Sequence, residues 1–241
     1  MLNAKNVPNQ SKFERPDPLE PGTYPARIVQ IISKGLQEQR PYQGKEKPPA
    51  YVIMVTYELL DEFMKDKETG EELTDRPRWI HENFPLHSLE SDRAKSTNRY
   101  MALDPDMKYD GDWAELIGVP CMITLVQNKS KKDPSKIYEN VASVSSMRTK
   151  EADKAPELVN DPKVFDPDDP DLETFLTLPE WLQGDIKENL NYEGSKLEKL
   201  VQKHESGPKG GSTKKEEKAT QESTQSRTEA SEDETEEEED W

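Results

Sequence analysis

The sequence predicts a mainly β protein that ends in a disordered acidic tail. Segments rich in β-branched residues, with apolar side chains at every second position, recur through the first 150 of the 241 residues. One segment without this alternation interrupts them and is predicted to be helical. Residues 204–241 hold almost no apolar side chain before the last residue, so they cannot bury enough surface to offset chain entropy. We therefore expect a folded β unit followed by an unfolded segment.

Three strands are predicted before the helical segment. Residues 22–35, "GTYPARIVQIISKG", place one set of residues on a common face at period two: Tyr24, Ala26, Ile28, Gln30 and Ile32. Residues 50–63, "AYVIMVTYELLDEF", form the strongest predicted strand, with a second such set: Tyr51, Ile53, Val55, Tyr57 and Leu59. Residues 78–86, "RWIHENFPL", are predicted to be the third strand. Long polar turns separate the three.

The remaining elements complete an order that is typical of one known architecture. Residues 88–104 are predicted to be helical with Ser88 as N-cap, and residues 112–118 to form a short turn of helix. Strands follow at 120–128 and 137–145. Five strands with a helix between the third and fourth are the arrangement of the OB-fold, a partly open Greek-key barrel whose loops and strand face bind oligonucleotides. The sequence therefore predicts an OB-fold-like barrel with a small helical C-terminal extension.

Charge divides the chain into regions of different character. The formal net charge is −17, of which residues 1–150 carry −1 and residues 151–203 and 204–241 carry −8 each. The predicted division is an extended arm (1–20), an OB-fold-like domain (21–150), an acidic, partly helical extension docked on the barrel (151–203) and the disordered tail (204–241). In the extension, one helical stripe is predicted: Leu178, Trp181, Leu182, Ile186 and Leu190. The nearly neutral first part remains free to carry basic patches.

Several classes of protein are disfavoured. The single cysteine, Cys121, excludes an intramolecular disulfide, and no apolar run approaches the roughly 20 residues of a membrane helix. With no signal-peptide pattern at the N-terminus, we expect a cytoplasmic protein. No phosphate-binding loop, nucleophile elbow or metal-ligand spacing is found. We therefore expect no enzymatic activity, no cofactor and no metal.

Basic residues interleaved with aromatic ones stand where an OB-fold would use them. Single-stranded nucleic acid needs cations along its phosphates and flat rings beneath its bases. The predicted DNA-binding residues are Lys34, Arg40, Tyr42, Lys45, Lys47, Arg76, Arg78, Trp79, Arg93, Lys95, Arg99, Tyr100, Lys129, Lys131, Lys132 and Lys136. Trp79 is the best single stacking candidate, whereas Tyr51 and Tyr57 are assigned to the core. Solvated surface charge is the alternative interpretation of each cluster.

The tail ends "EEEEDW", and an acidic run has no need of a tryptophan for solubility. Its carboxylates can mimic phosphates and compete for the basic groove, while the terminal ring can enter a partner's pocket. The residues predicted to bind a partner protein are Glu236, Glu237, Glu238, Glu239, Asp240 and Trp241. An incidental tryptophan on a solubilising tail is the alternative.

Three stretches of the sequence, together with the tail, are similar to a known family. The tail, together with "PGTYPARIVQI", "RPYQGKEKPPAYVIMVTYEL" and "VFDPDDPDLETFLTLPEWL", resembles the single-stranded DNA-binding proteins of short-tailed bacteriophages. The resemblance covers roughly residues 20–200 and the pattern of the tail. It implies a role in phage DNA replication, recombination and repair. It further implies that the tail contacts the phage DNA polymerase, helicase-primase or a nuclease in the host cytoplasm.

The sequence therefore favours a non-enzymatic protein that coats single-stranded DNA without strong sequence preference. Two alternatives stay open. An acidic adaptor or DNA mimic that inhibits a nucleic-acid enzyme fits the net charge of −17 but not the nearly neutral first 150 residues. A nuclease or recombinase subunit lacks a cluster able to hold catalytic magnesium. The oligomeric state is not determined by the sequence, and a homodimer remains open.

Overall fold

The computed structural model describes residues 16–66, 68–130, 133 and 136–206. The chain is mainly β, as predicted, with short helices. The strands are β1 Gly22–Gln37, β2 Ala50–Lys65, β3 Glu72–Pro85, β4 Pro120–Lys129, β5 Ile137–Ser146 and β6 Lys163–Phe165. The helices are α1 Lys95–Leu103, α2 Thr149–Ala152, α3 Leu172–Thr177, α4 Glu180–Lys187 and α5 Lys196–Ser206, with a 3₁₀ turn at Ala114–Leu116. The predicted tail residues, Glu236–Trp241, lie outside the described residues.

The six strands form one open sheet in the order β3-β2-β1-β4-β5. Each neighbouring pair in this order is antiparallel, and β1 joins the two halves because β2 and β4 lie along its opposite edges. The short β6 pairs in parallel with residues 30–32 of β1, on the edge that β4 leaves free. This short strand was not predicted, since three residues are too few for a periodic signal. Each of the five longer strands overlaps its predicted position.

The concave side of the sheet holds the first core. Alternate residues of β2 point there, among them Ile53, Val55, Tyr57 and Leu59, as the sequence predicts. Tyr51, predicted to share their face, is 45% exposed at the start of the strand. Apolar residues of α1, β4 and β5 complete this core, because each offers an apolar face to the same space.

The predicted common face of β1 is wrong beyond residue 28. The pairing with β2 shifts between Ile28 and Gln30, which marks a β-bulge. A bulge adds one residue to a strand and reverses the alternation of the side chains after it. Ala26 and Ile28 therefore face the first core, whereas Ile32 lies in a second core on the opposite side.

Helix α1 begins later than predicted. Ser88 is not its N-cap, because residues 88–94 form turns and the helix starts at Lys95 after an extended Ala94. The carbonyl oxygen of Ser88 instead accepts a hydrogen bond of 3.1 Å from the hydroxyl of Thr97. Strand β3, in turn, begins at Glu72 rather than at residue 78, because its first residues pair with the end of β2.

The C-terminal extension covers the convex side of β1 and β2. Its buried residues Phe175, Leu182 and Ile186 pack with Ile32 of β1 and Met54 of β2 in the second core. Within the predicted helical stripe, Trp181 is half-buried and Leu190 is 47% exposed, while the other three residues are buried. The extension therefore has an apolar core of its own against the sheet.

Candidate nucleic-acid interface

The structure separates the predicted cations into two groups at opposite ends of the sheet. The loop at residues 38–49 joins the end of β1 to the start of β2. The end of β3 lies beside it, because Pro85 pairs with Val52. The loop at residues 130–136 joins β4 to β5 at the other end, where residue Leu125 of β4 pairs with Gly22 at the start of β1. A single-stranded nucleic acid that contacts both loops would therefore have to cross the sheet.

The β1–β2 loop carries a preformed hairpin at its tip. The backbone groups of Tyr42 and Lys45 exchange two hydrogen bonds of 2.9 Å. Gln43 and Gly44 between them have φ of 48° and 74°, as in the two-residue turns that suit the twist of a β-hairpin. Lys47 Nζ lies 4.6 Å from the centroid of the Tyr42 ring, a cation–π distance. The tip therefore holds an aromatic ring and a cation together before any ligand is bound.

The cations of this loop are accessible. Arg40, Lys45 and Lys47 are all exposed, and Tyr42 is half-buried. Tyr51 stands at the base of the same loop, where its carbonyl oxygen accepts a hydrogen bond of 2.7 Å from Leu86 N. Tyr51 continues the apolar alternation of β2, which assigns it to the core, but the structure leaves it 45% exposed. The preceding Pro48 and Pro49 are the signal that the strand has only just begun.

The helical segment adds two cations at the same end of the sheet. Arg93 is exposed just before α1. Lys95 forms an ion pair of 2.9 Å with Glu82 of β3, and its side chain remains 47% exposed. Its Nζ also lies 5.7 Å from the centroid of the Phe84 ring. Lys95 therefore contributes to the surface charge while it is already partly neutralised by Glu82.

The second group surrounds the β4–β5 loop. Arg76 at the start of β3, Lys129 at the end of β4 and Lys136 before β5 are exposed. Lys136 Nζ lies 3.7 Å from a carboxylate oxygen of Asp133, and the exposure of both groups makes this pair weak. Lys131 and Lys132, predicted here as DNA-binding residues, lie outside the described residues.

Three predicted cations are buried and bound to protein partners. Lys34 pairs with Asp185 of α4 at 2.8 Å, and Arg78 pairs with Glu139 of β5 at 2.9 Å. Arg99 of α1 donates to Glu82 at 2.9 Å and to the carbonyl oxygen of Val141 at 3.0 Å. Their partners lie far away in the sequence, so a pattern of local charge could not reveal the pairing. These side chains hold the fold together and do not belong to an accessible interface.

Tyr100 is likewise removed from the surface. It is fully buried in the first core, where its hydroxyl accepts a hydrogen bond of 2.9 Å from Gly111 N and donates to Asp104 at 3.3 Å. Burial raises the pKa of Tyr100, and the nearby charge of Asp104 acts in the same direction. The ring therefore serves as core, with its hydroxyl anchored to the loop that follows α1.

Trp79 is half-buried beneath the extension. Its indole Nε1 donates to Glu58 Oε2 at 3.0 Å, and Glu58 also accepts hydrogen bonds from Val159 N at 2.7 Å and Asn160 Nδ2 at 2.6 Å. These bonds tie the segment that leads into the extension onto the convex side of β2 and β3. The ring of His81, two residues along β3 from Trp79, stacks on that of Trp181 at 6.0 Å. The best stacking candidate of the sequence analysis is thus engaged within the protein.

The candidate metal-ligating side chains of the described residues do not cluster. No group of three or more His, Cys, Asp or Glu side chains in this part of the chain is arranged to hold a metal ion. Within the same residues, no helix is long and apolar enough to cross a membrane. A scan against protein-family models, a search of curated proteins and a search of solved structures each find no match to this chain.

Proposed function

We propose that this chain binds single-stranded DNA without strong sequence preference, as a non-enzymatic protein of phage DNA replication and recombination. The observation that carries the proposal is the preformed hairpin tip of the β1–β2 loop. It presents the Tyr42 ring with Lys47 at 4.6 Å from its centroid and with Arg40 and Lys45 exposed beside it. Stacking of a base on such a ring is worth about 1–3 kcal/mol and tolerates any base.

The sheet supports an OB-like barrel as the scaffold of this function. The hydrogen-bonded strand order leaves β3 and β5 as its two edges. Side chains join these edges: Arg78 of β3 pairs with Glu139 of β5, and Arg99 links Glu82 of β3 to Val141 of β5. The edges thus approach each other around the first core, in the order expected of a five-stranded Greek-key barrel.

The acidic tail has two roles in the proposed function. Residues 204–241 carry a net charge of −8 and end on Trp241. Their role in competing with DNA and in recruiting a polymerase, helicase-primase or nuclease rests on the sequence and on the resemblance to phage proteins. It is tested by comparing the full chain with a truncation after Ser206, the last described residue. We expect the truncation to bind DNA more tightly at low salt, since it removes carboxylates that compete with phosphates.

The binding function is tested by fluorescence anisotropy of a labelled oligo-dT at several salt concentrations. The variant Arg40→Ala/Lys45→Ala/Lys47→Ala removes the cations of the hairpin loop. Its control, Lys196→Ala/Lys199→Ala/Lys203→Ala, removes the same charge from exposed positions on α5. We expect the loop variant to weaken binding at least tenfold. It should also reduce the slope of log K against log salt by up to about 2, at about 0.7 per phosphate contact.

Two results would count against the proposal. Equal loss of affinity in both variants would mean that only net charge matters. No binding by the wild-type chain at any salt concentration would favour the acidic adaptor, whose target is another protein.

Tyr42→Phe should bind nearly as well as wild type, whereas Tyr42→Ala should not, because a stacked base needs the ring and not the hydroxyl.

A further inference from the structure

The convex side of β4 and β5 carries a set of uncharged side chains that are exposed or half-buried among the described residues. Cys121, Ile123 and Leu125 of β4 face the first core, so the residues between them face outward. On β5, Val141 and Val144 face inward, and the pairing register sets the outward residues opposite those of β4. The outward set, which we name the β4–β5 face, is Met122, Thr124, Val126, Asn128, Tyr138, Asn140, Ser143 and Ser145. Thr23 extends it onto β1, with its hydroxyl 3.0 Å from that of Thr124.

The composition of this face is unusual for the chain. Acidic residues number 50 of 241, yet none of the eight side chains of the face is acidic and none is basic. Hydroxyl and amide groups predominate, with Val126 36% exposed and Tyr138 half-buried. A carboxylate on this face would repel phosphates, whereas hydroxyl and amide groups donate hydrogen bonds to phosphate oxygens and sugars. The face therefore offers a polyanion hydrogen-bond donors without a carboxylate to repel it.

The face leads directly into the basic β4–β5 loop. Asn128 and Tyr138 are paired at its end, and Lys129 and Lys136 follow on either strand. Since the face ends beside Lys129 and Lys136, a polynucleotide lying along it meets these two cations at one end. An anionic ligand would therefore be attracted to the end of the face that carries these cations.

In OB-folds a face of strands 2 and 3 binds oligonucleotides, whereas here the extension covers the convex side of β2 and the part of β3 near Trp79. Glu58 is 1% exposed and holds Trp79, Val159 and Asn160. The second core and the Lys34–Asp185 pair hold the extension over the rest of that surface. A nucleic-acid strand that bound there would have to displace an apolar core. The free energy lost by exposing that core is far larger than the free energy gained by stacking a base.

The geometry points to the β4–β5 face as the track of a single-stranded polynucleotide, which runs from Lys129 and Lys136 across the hydroxyl and amide groups of both strands. This inference rests on the proposed function and assigns it a surface. The track replaces the β2–β3 surface that the extension occupies. Its ligand is recognised through phosphate and sugar, and stacking on Tyr138 is a secondary contact.

The test places charge on the centre of the face. Ser143 is exposed and lies opposite Thr124, so Ser143→Glu and Ser143→Lys add opposite charges at one point. The neutral variant Ser143→Gln controls for side-chain size. Asn191, exposed in the loop after α4, receives the same pair of charges as Asn191→Glu and Asn191→Lys.

Binding of labelled oligo-dT is measured for all five variants across a salt series, and thermal unfolding confirms that each is folded. Ser145, also exposed, takes the same substitutions if a Ser143 variant does not fold.

We expect Ser143→Glu to weaken binding about 3- to 10-fold and Ser143→Lys to strengthen it similarly, with a salt slope steeper by about 0.7. Ser143→Gln and both Asn191 variants should bind within twofold of wild type. If the Ser143 variants match their Asn191 counterparts while the hairpin-loop variant loses affinity, the track is overturned and the proposed function stands. If the wild-type chain binds no single-stranded DNA, both are overturned.

Discussion

Arg78 on β3 and Glu139 on β5 form an ion pair of 2.9 Å that joins the two edge strands of the sheet. Their side chains are 10% and 18% exposed, so both charges are largely removed from water. Arg78 also donates a hydrogen bond of 2.7 Å to the carbonyl oxygen of Asp17, and Glu139 accepts one from the backbone of Leu19. One pair thus fixes the segment before β1 and both edges of the sheet.

Arg78→Ala should therefore lower the free energy of unfolding by about 3 kcal/mol, because it leaves the Glu139 carboxylate buried without its cation. Arg76→Ala, two residues earlier on the same strand and exposed, should change it by less than about 0.5 kcal/mol. Urea denaturation of both variants measures the difference. Equal stability of the two would show that the pair does not hold the sheet edges together.

The junction between β1 and α4 depends on a glycine. Gly35 has a φ of +75°, and a Cβ at this position would lie 2.2 Å from Nδ2 of Asn189. The Oδ1 of Asn189 accepts hydrogen bonds of 3.0 Å from Leu36 N and from Asn191 N. A methyl group at residue 35 would thus displace the side chain that ties the end of α4 to the strand.

We expect Gly35→Ala to cost about 2–4 kcal/mol, from backbone strain and the lost hydrogen bonds together. Gly44→Ala, at a φ of +74° with nothing within 4 Å, should cost only the strain of about 1–2 kcal/mol. In a double-mutant cycle, Gly35→Ala should cost less when Asn189→Ala is already present. Additive effects in thermal or urea unfolding would contradict this coupling.

How far the sequence predicts this structure depends on the range of the interaction. Period-two alternation located the five longer strands, because each strand offers an apolar face to a core. The bulge after Ile28 reversed that alternation in β1 and misplaced Ile32, since nothing local distinguishes an inserted residue. The N-terminus of α1 was misplaced because Ser88 accepts hydrogen bonds from Glu90 N and Ser91 N in a turn, as a helix cap would.

The candidate site shows the same limit more strongly. Lys45 in the hairpin loop and Lys129 at the end of β4 are exposed, as a local charge pattern predicts. Lys34 and Arg78 are instead buried, because they pair with Asp185 and Glu139, which are 151 and 61 residues away in the sequence. Charge patterns therefore locate loops that can bind, but only the tertiary structure shows which cations are already occupied.

Glu58 should hold the chain that leads into the extension. It is buried and accepts hydrogen bonds from Trp79, Val159 and Asn160. Glu58→Gln replaces one acceptor oxygen with an NH₂ group, so at least one of the three donors loses its partner. We expect trypsin to cleave the variant faster after Lys154, with mass spectrometry identifying the fragment.

Glu62→Gln, on the same strand, is the control and should be cleaved as slowly as wild type. Equal rates in both would show that this carboxylate does not secure the segment.

Cys121 should make the stability of the protein depend on pH in the alkaline range. Burial raises the pKa of its thiol from 9.0 to about 12, and the charge of Glu82 acts in the same direction. Between those values the unfolded thiol has lost its proton while the folded one keeps it, so the unfolded chain binds fewer protons and stability falls as the pH rises. The loss approaches about 1.4 kcal/mol per pH unit above 9.

Cys121→Ser removes this titration while nearly preserving the side-chain volume. Wild type should therefore lose about 2 kcal/mol more stability than the variant between about pH 8.5 and 10.5, as measured by urea unfolding at each pH. Tyr57, whose pKa burial raises well above its usual value, keeps its proton in both folded proteins over this range, so its contribution cancels in the difference. Parallel stability curves for the two proteins would show that the thiol ionises in the folded chain as readily as in the unfolded one. The same protection from ionisation should make Cys121 react slowly with thiol reagents in the native protein and quickly in urea, because the thiolate is the reactive form.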